Sequence, residues 1–178
     1  MAALELLDRY TYEDYKKWEG RWELIDGIPY AMSPAPYPKH QRLLLRTAKE
    51  LMETMECKEC EVFISPIDWK VNEDTVVQPD VAIFCEETQE QYFTKTPPVA
   101  VEVLSEATAY KDLTTKFELY ERTGVHYYVV INPKREVAEV FYNKGKKFEL
   151  LGYFEKEGKV DMQWNGCEAS IDFKRVFT

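Results

Sequence analysis

The segment Val99-Ala100-Val101-Glu102-Val103-Leu104 constrains this chain more than any other. It is apolar at every position but one, and a strand without polar alternation belongs in the middle of a sheet covered on both faces. A chain that holds such a strand must supply layers for each side of it, which predicts an α/β fold with a mixed sheet. Its 178 residues favour one domain over two and suffice to bury a core of useful size. Glu102 is then the anomaly. An ionised carboxylate in an apolar interior is costly unless it pairs, ligates a metal or takes up a proton.

The rest of the chain supplies the layers. Thr11 caps a short helix over Tyr12 to Trp18, and Arg21 to Asp26, Gly27 and Ile28 to Met32 read as two strands around a turn. Three prolines in Ser33-Pro34-Ala35-Pro36-Tyr37-Pro38 force a loop. From His40 to Met55 the apolar Leu44, Ala48, Leu51 and Met55 recur at helical spacing and predict an amphipathic helix. Glu61–Ile64 and Asp68–Val71, broken at Pro66, begin a meander that turns at Asn72-Glu73-Asp74 and continues into a strand over Pro79–Phe84. A second helix is predicted over Ala109–Thr123, ended by Gly124, followed by a buried strand over Tyr127–Ile131. Glu136–Tyr142 and Lys146–Phe154 form a hairpin, with a trailing strand around Ile171–Phe173. The expected organisation is a single domain over residues 1–178: an N-terminal appendage over 1–35, a core over 36–135 and a C-terminal β extension over 136–178.

Composition narrows the function. With 45% hydrophobic and 31% charged residues, and only 7 Gly and 9 Pro, disordered and low-complexity classes are excluded. Acidic residues outnumber basic ones by 32 to 23, a net charge of -9, which excludes adhesion to nucleic acid through bulk charge. A polyanionic partner must be met by a local patch or a bound cation. Residues Met1 to Tyr10 carry no basic leader and no apolar run approaches the length of a membrane span, so the expected location is cytoplasmic with no membrane partner. Cys57, Cys60, Cys85 and Cys167 are too sparse for a disulfide scaffold. Cys57 and Cys60 have CxxC spacing but follow a helix, and zinc would lack half its ligands, so four reduced structural thiols are expected.

Asp80 brings the second carboxylate. If Pro79–Phe84 runs antiparallel to Val99–Leu104 with Phe84 opposite Val99, Asp80 falls opposite Val103 and beside Glu102. A bulge or a shift of register would then be needed for both side chains to share a face. Two such acids repel, and a divalent ion with a taste for hard oxygen ligands, magnesium above all, resolves the repulsion. Lys116 borders the stripe of Leu113 and Tyr120 and reaches over the strand ends. The same residues also admit a plainer account: an exposed Asp112–Lys116 ion pair, a turn capped by Asp80, and Glu102 paired with a core tyrosine or lysine.

Gln78-Pro79-Asp80 followed by Glu102-Val103-Leu104 resembles the acidic half of the PD-(D/E)xK nuclease signature. The wider string is similar to the Uma-type endonucleases, a bacterial family of restriction-endonuclease-like proteins. The matching pieces are Trp22 to Gly27, Met32-Ser33-Pro34 with His40, Ser65-Pro66 with Asp68, Val76 to Phe84, Val101 to Ser105, and Asp112, Lys116, Tyr120, Gly124-Val125, Tyr127 and Asn132-Pro133. The resemblance implies a restriction-endonuclease-like core, a homodimer, and a divalent-metal-dependent endonuclease that hydrolyses DNA. It implies that Asp80, Glu102 and the Val103 carbonyl hold Mg2+ or Mn2+. Leu104 stands where the signature has its lysine, and Lys116 is the nearest substitute. Glu23 and His40 match family positions: Glu23 as a third acid or as a tie to the core, His40 as a phosphate or proton-transfer group or as a solvated residue. Asp68 matches as a structural acceptor. Lys39, Arg42 and Arg46 either flank a DNA backbone or solubilise a helix face. Leu104 also favours an alternative, a nuclease-like fold that no longer cuts and serves as a binding or assembly module.

Overall fold

The computed structural model describes residues 8–32 and 36–178; readings that fall on residues 1–7 or 33–35, Ser33 and Pro34 among them, lie outside it. After α1 (Tyr12–Tyr15), β1 (Trp22–Ile25) and β2 (Ile28–Ala31) form the N-terminal hairpin. Its turn at Asp26-Gly27 takes positive φ at both residues, and a Cβ on Gly27 would stand 3.2 Å from the Arg9 side chain. Helix α2 (Pro38–Thr54) starts with a proline in its first turn, where a missing N–H costs nothing. It is followed by β3 (Glu61–Ile64), β4 (Asp68–Asn72), β5 (Thr75–Val77), β6 (Val81–Phe84), β7 (Tyr92–Phe93) and β8 (Val99–Val103). Then come α3 (Ala109–Leu113), α4 (Thr115–Thr123), β9 (Tyr127–Asn132), β10 (Val137–Asn143), β11 (Phe148–Phe154), β12 (Lys159–Trp164), β13 (Cys167–Asp172) and α5 (Phe173–Phe177).

The main sheet has six strands in the order β11-β10-β9-β8-β6-β3, and β8 lies inside it, buried at all five positions. It is mixed: β8 runs parallel to β9 and antiparallel to β6. Its two faces carry separate apolar layers. Val99, Val101 and Val103 pack with Leu44, Ala48 and Leu51 of α2 and with Met162 and Ile171 of β12–β13. Ala100 packs on the other face with Leu119 and Tyr120 of α4 and with Ile25, Trp69 and Val77. Those last three belong to a five-stranded sheet, β2-β1-β5-β4-β7, laid against that face. No helix among the described residues is long and apolar enough to cross a membrane.

Three local readings are corrected. The helix expected over Ala109–Thr123 breaks at Thr114, whose φ of -123° and ψ of -76° end α3 and start α4. The single trailing strand is a second hairpin, β12–β13, followed by α5. Lys159–Trp164 alternates strictly between exposed and buried, and Asn165-Gly166 turns with positive φ at both residues, as a two-residue hairpin loop requires. The four cysteines are paired, Cys57 with Cys167 and Cys60 with Cys85. Pairing of Glu61 with Phe84 sets Cys60 across from Cys85, and a bridge between Glu56 and Glu168 sets Cys57 across from Cys167. Chain separations of 25 and 110 residues hide both juxtapositions from spacing rules.

Candidate active site

The register of β6 on β8 decides where the two acids stand. Val81 pairs with Val101 and Ile83 with Val99, one residue away from the alignment expected from the sequence. Continued by one step, that register sets Asp80 across from Glu102 rather than Val103. Residues opposite each other in an antiparallel pair share a face, so no bulge is needed. Packing agrees: Ala82 and Phe84, in phase with Asp80, lie in the same apolar layer as Ala100, in phase with Glu102. Asp80 Oδ2 accepts the Val103 N–H at 2.8 Å, which ties the end of β6 to β8.

Both acids line a cavity of about 980 Å3 at this end of the sheet, together with Glu23, Lys111, Asp112 and Lys116. Lys116 is 1% exposed and bridges two carboxylates, Glu23 Oε2 at 2.8 Å and Glu102 Oε1 at 2.5 Å. Lys111 reaches Glu23 Oε1 at 2.6 Å. Tyr120 donates to Glu102 Oε1 at 2.7 Å, and the Gln78 N–H donates to Glu23 Oε2 at 2.7 Å. Asp112 and Lys116 are both buried, so the exposed helical ion pair is not what this segment forms.

Lys111 is the residue that sequence reasoning passed over. On one unbroken helix, five positions separate side chains by about 140° around the axis, and Lys111 and Lys116 would face apart. The break at Thr114 lets both meet Glu23. Nothing in the local sequence signals the break beyond two adjacent β-branched residues, Thr114-Thr115.

Charge is unevenly shared among these groups. Burial works against ionised Glu23, but Lys116 and Lys111 outweigh it and hold the carboxyl at about 2. For Glu102 burial wins: Lys116 pulls down, yet Asp112, Asp80 and Glu23 add repulsion, and the carboxyl is pushed well above its ordinary value. Burial, with Asp80 and Glu23 repelling and Lys116 opposing, lifts Asp112 to about 7. Burial also disfavours the Lys116 ammonium, but Glu102, Glu23 and Asp112 more than restore it and its pKa rises. Four acids therefore converge on two ammonium groups, and their mutual repulsion, added to burial, raises Glu102 and Asp112.

His40, in the first turn of α2, places Nε2 3.5 Å from Asp80 Oδ2 and Nδ1 2.9 Å from Gln41 Oε1. Burial lowers its pKa, but bonds to Asp80, Gln41 and the Val103 carbonyl give a net rise. Lys39 lines the cavity and pairs with Glu136 at 2.9 Å. Arg42 is exposed, and Arg46 points away, donating to the Val176 carbonyl of α5 at 3.3 Å. Asp68 stands behind the site and accepts from Tyr15 at 2.9 Å and from Gln78 Nε2 at 2.8 Å, so it steadies the residue that holds Glu23.

The donor set suits a hard divalent cation. Glu102 Oε1 is taken by Lys116 and Tyr120, and Asp80 Oδ2 by Val103 and His40. Each carboxylate keeps its other oxygen without a hydrogen-bond partner among the described residues, and both residues line the cavity.

Comparison with other proteins agrees with this architecture. A crystal structure of a putative nuclease belonging to DUF820 from Anabaena variabilis ATCC 29413 superimposes with a TM-score of 0.73, covering 94% of this chain and 97% of that one. At 17% identity the likeness speaks for the fold alone. The uncharacterized protein slr1290 of Synechocystis sp. is 25% identical over 169 residues, 90% of this chain and 88% of its own length. Residues 12–164 match the family described as Uma2, putative restriction endonuclease, and since that span holds the whole cavity wall and most of the chain, this protein belongs to the Uma2 family.

Proposed function

We propose that the cavity hydrolyses phosphodiester bonds of DNA with the help of a divalent metal ion, Mg2+ or Mn2+. The observation that carries this reading is the pair of carboxylates on one face of neighbouring strands, both lining one cavity and each with an oxygen that no hydrogen bond takes up among the described residues. Asp80, Glu102 and the Val103 carbonyl are the groups that would hold the ion, all of them oxygen donors. When bound, it would supply Lewis acidity, polarising the phosphate and making water a better nucleophile at neutral pH.

The chain's own residues do the rest. Lys111, with 11% of its side chain exposed, is the ammonium that a phosphate can touch. Lys116 is too deeply buried for that; it holds Glu102 in place and fixes Glu23, which in turn holds Lys111. His40 orients Asp80 and stands where a proton can be passed to a departing oxygen. The cavity wall carries five basic side chains against five acidic ones, a local balance that the whole chain, at -9, does not have. A DNA backbone is thereby admitted at this site while being repelled elsewhere. Cutting both strands takes two such sites, which a homodimer supplies.

Purified protein is incubated with plasmid and oligonucleotide substrates in Mg2+, in Mn2+ and in chelator. Metal-dependent cleavage that disappears in Asp80→Ala and Glu102→Ala, with folded variants by circular dichroism, supports the assignment. Absence of cleavage of any DNA form, with no stabilisation by either metal, overturns it in favour of a binding or assembly module.

A further inference from the structure

We propose a second metal site in this protein, at the opposite end of α2 from the cavity: a zinc ion held by the thiolates of Cys57, Cys60, Cys85 and Cys167 in the reduced chain. Three separate stretches of sequence meet there. Cys57 and Cys60 form the bend between α2 and β3, Cys85 follows β6, and Cys167 opens β13. The sulfurs of Cys57, Cys60 and Cys167 lie within 4.8 Å of one another, with Cys57 Sγ 3.3 Å from Cys60 Sγ, and Cys85 joins the group through Cys60. A tetrahedral tetrathiolate zinc site, with bonds of about 2.3 Å, needs sulfurs about 3.8 Å apart, so Cys57, Cys60 and Cys167 are already close to the required size, and Cys85, which stands outside that trio but beside Cys60, has to swing in on reduction.

The sequence argument against zinc was that a lone CxxC supplies only two ligands. The fold supplies the other two. Both arrive through antiparallel register, Cys85 beside Cys60 and Cys167 beside Cys57, so the backbone fixes the convergence whatever the sulfurs bind. Cys60 is buried, the other three are half-buried, and all four pack at the edge of the α2 layer of the core. Four thiolates fill all four positions of a tetrahedral zinc, which suits a closed structural site with no open position for chemistry.

The sulfurs are paired as two disulfides in the structure. Disulfide and zinc states exclude each other. Two phosphine molecules take up the oxygens of two waters, becoming two phosphine oxides, and deliver the four electrons, with four protons from the waters, that turn two disulfides into four thiols; zinc then displaces the thiol protons. Which state a cell holds follows the redox poise of its compartment. Either way the group fastens β13 to the end of α2 and the edge of the main sheet. Asp80 and Cys85 sit at opposite ends of β6, and α2 spans about 25 Å between the cavity and the cysteines, so this site is independent of the proposed nuclease centre.

The test uses the full chain, reduced with a phosphine, stripped of metal by a chelator and titrated anaerobically with Co2+. We expect one cobalt per chain with near-ultraviolet sulfur-to-cobalt charge transfer and the visible bands of a tetrahedral site, all bleached by one equivalent of Zn2+. The double variant Asp80→Asn, Glu102→Gln keeps these bands, which separates them from binding at the carboxylates, and Cys85→Ser loses the tetrathiolate spectrum. Alkylation needs no variant: zinc should slow modification of all four cysteines by on the order of 100-fold. A titration without thiolate bands, or alkylation at equal rates with and without zinc, overturns the proposal and leaves the quartet as two disulfides only.

Discussion

Replacing Asp112 by Asn should remove a pH-dependent cost that the metal-free fold carries. Asp112 is 2% exposed and lies in α3 beside the acid cluster, where burial, with the charges of Asp80 and Glu23, lifts its carboxyl from 3.8 to about 7. Its folded value is raised above its unfolded value. Between the two, the native chain keeps a proton that the unfolded chain has released, so stability falls as pH rises through this window and levels off above it. The difference of about three powers of ten, at about 1.4 kcal/mol each, amounts to about 4 kcal/mol in full. About 2–3 kcal/mol of it falls between pH 5 and pH 8. Glu102 shifts in the same sense, so the slope of either protein alone does not isolate Asp112; the difference between the two proteins does.

The assay is urea denaturation in chelator at pH 5 and pH 8, for the wild type and Asp112→Asn. The wild type should lose about 2–3 kcal/mol more than the variant over that interval. Parallel pH dependences would refute the reasoning, because they would mean that Asp112 ionises as freely in the folded chain as in the unfolded one. Mg2+ added to the wild type should flatten its pH dependence, since a bound cation takes over the role of the proton.

Lys116→Met should destabilise the fold by about 3–5 kcal/mol, since it strips the shared partner from two buried carboxylates; a loss below about 1 kcal/mol by chemical denaturation would show the ammonium to be dispensable. Leu51→Ala, at a position with no exposed surface in the α2 layer, should cost about 2–5 kcal/mol and lower Tm without changing metal response. His40→Gln should leave the fold intact and reduce metal-dependent cleavage by about 10²-fold or more, a loss that imidazole-free buffers of higher pH do not restore; unchanged cleavage rates would remove His40 from the reaction.

How much of this was readable beforehand depended on whether the signal was local. The central position of β8 follows from its unbroken apolar run, the inner face of α2 from its apolar spacing, and the first hairpin from Asp26-Gly27, all features that a few neighbouring residues decide. The register of β6 on β8 is not local. One residue of slip exchanges the faces of every side chain, and only packing of Val81 and Ile83 toward α2, with Ala82 and Phe84 toward α4, selects the true pairing. The Glu23 network is still less local, since its lysines are 88 and 93 residues away. Composition at residue 23 shows an acid in a short strand, and only the fold reveals that it is fully buried against two cations. The second hairpin is a different case: Asn165-Gly166 between alternating residues is a legible local signal that a reading centred on the acids passed by.

Leu104 bears on whether a lysine is missing or merely relocated. Along β8 the even positions face the α4 layer, and Leu104, two residues past Glu102, packs into that layer and lines the cavity. A lysine there would have carried its ammonium into the cavity from the strand, on the same face as Glu102. With leucine in that place the strand contributes only apolar wall, and the positive charge arrives from α3 and α4 across the same face, on Lys111 and Lys116. The substitution is thus balanced by geometry: break the helix at Thr114, and two lysines from one segment cover the position that one strand lysine would fill. Glu23 then has a physical reason to be buried, because two ammonium groups brought so close need a carboxylate between them. Glu102, Glu23 and the two lysines thus form one ion network, in which removing any member leaves another buried charge without its partner.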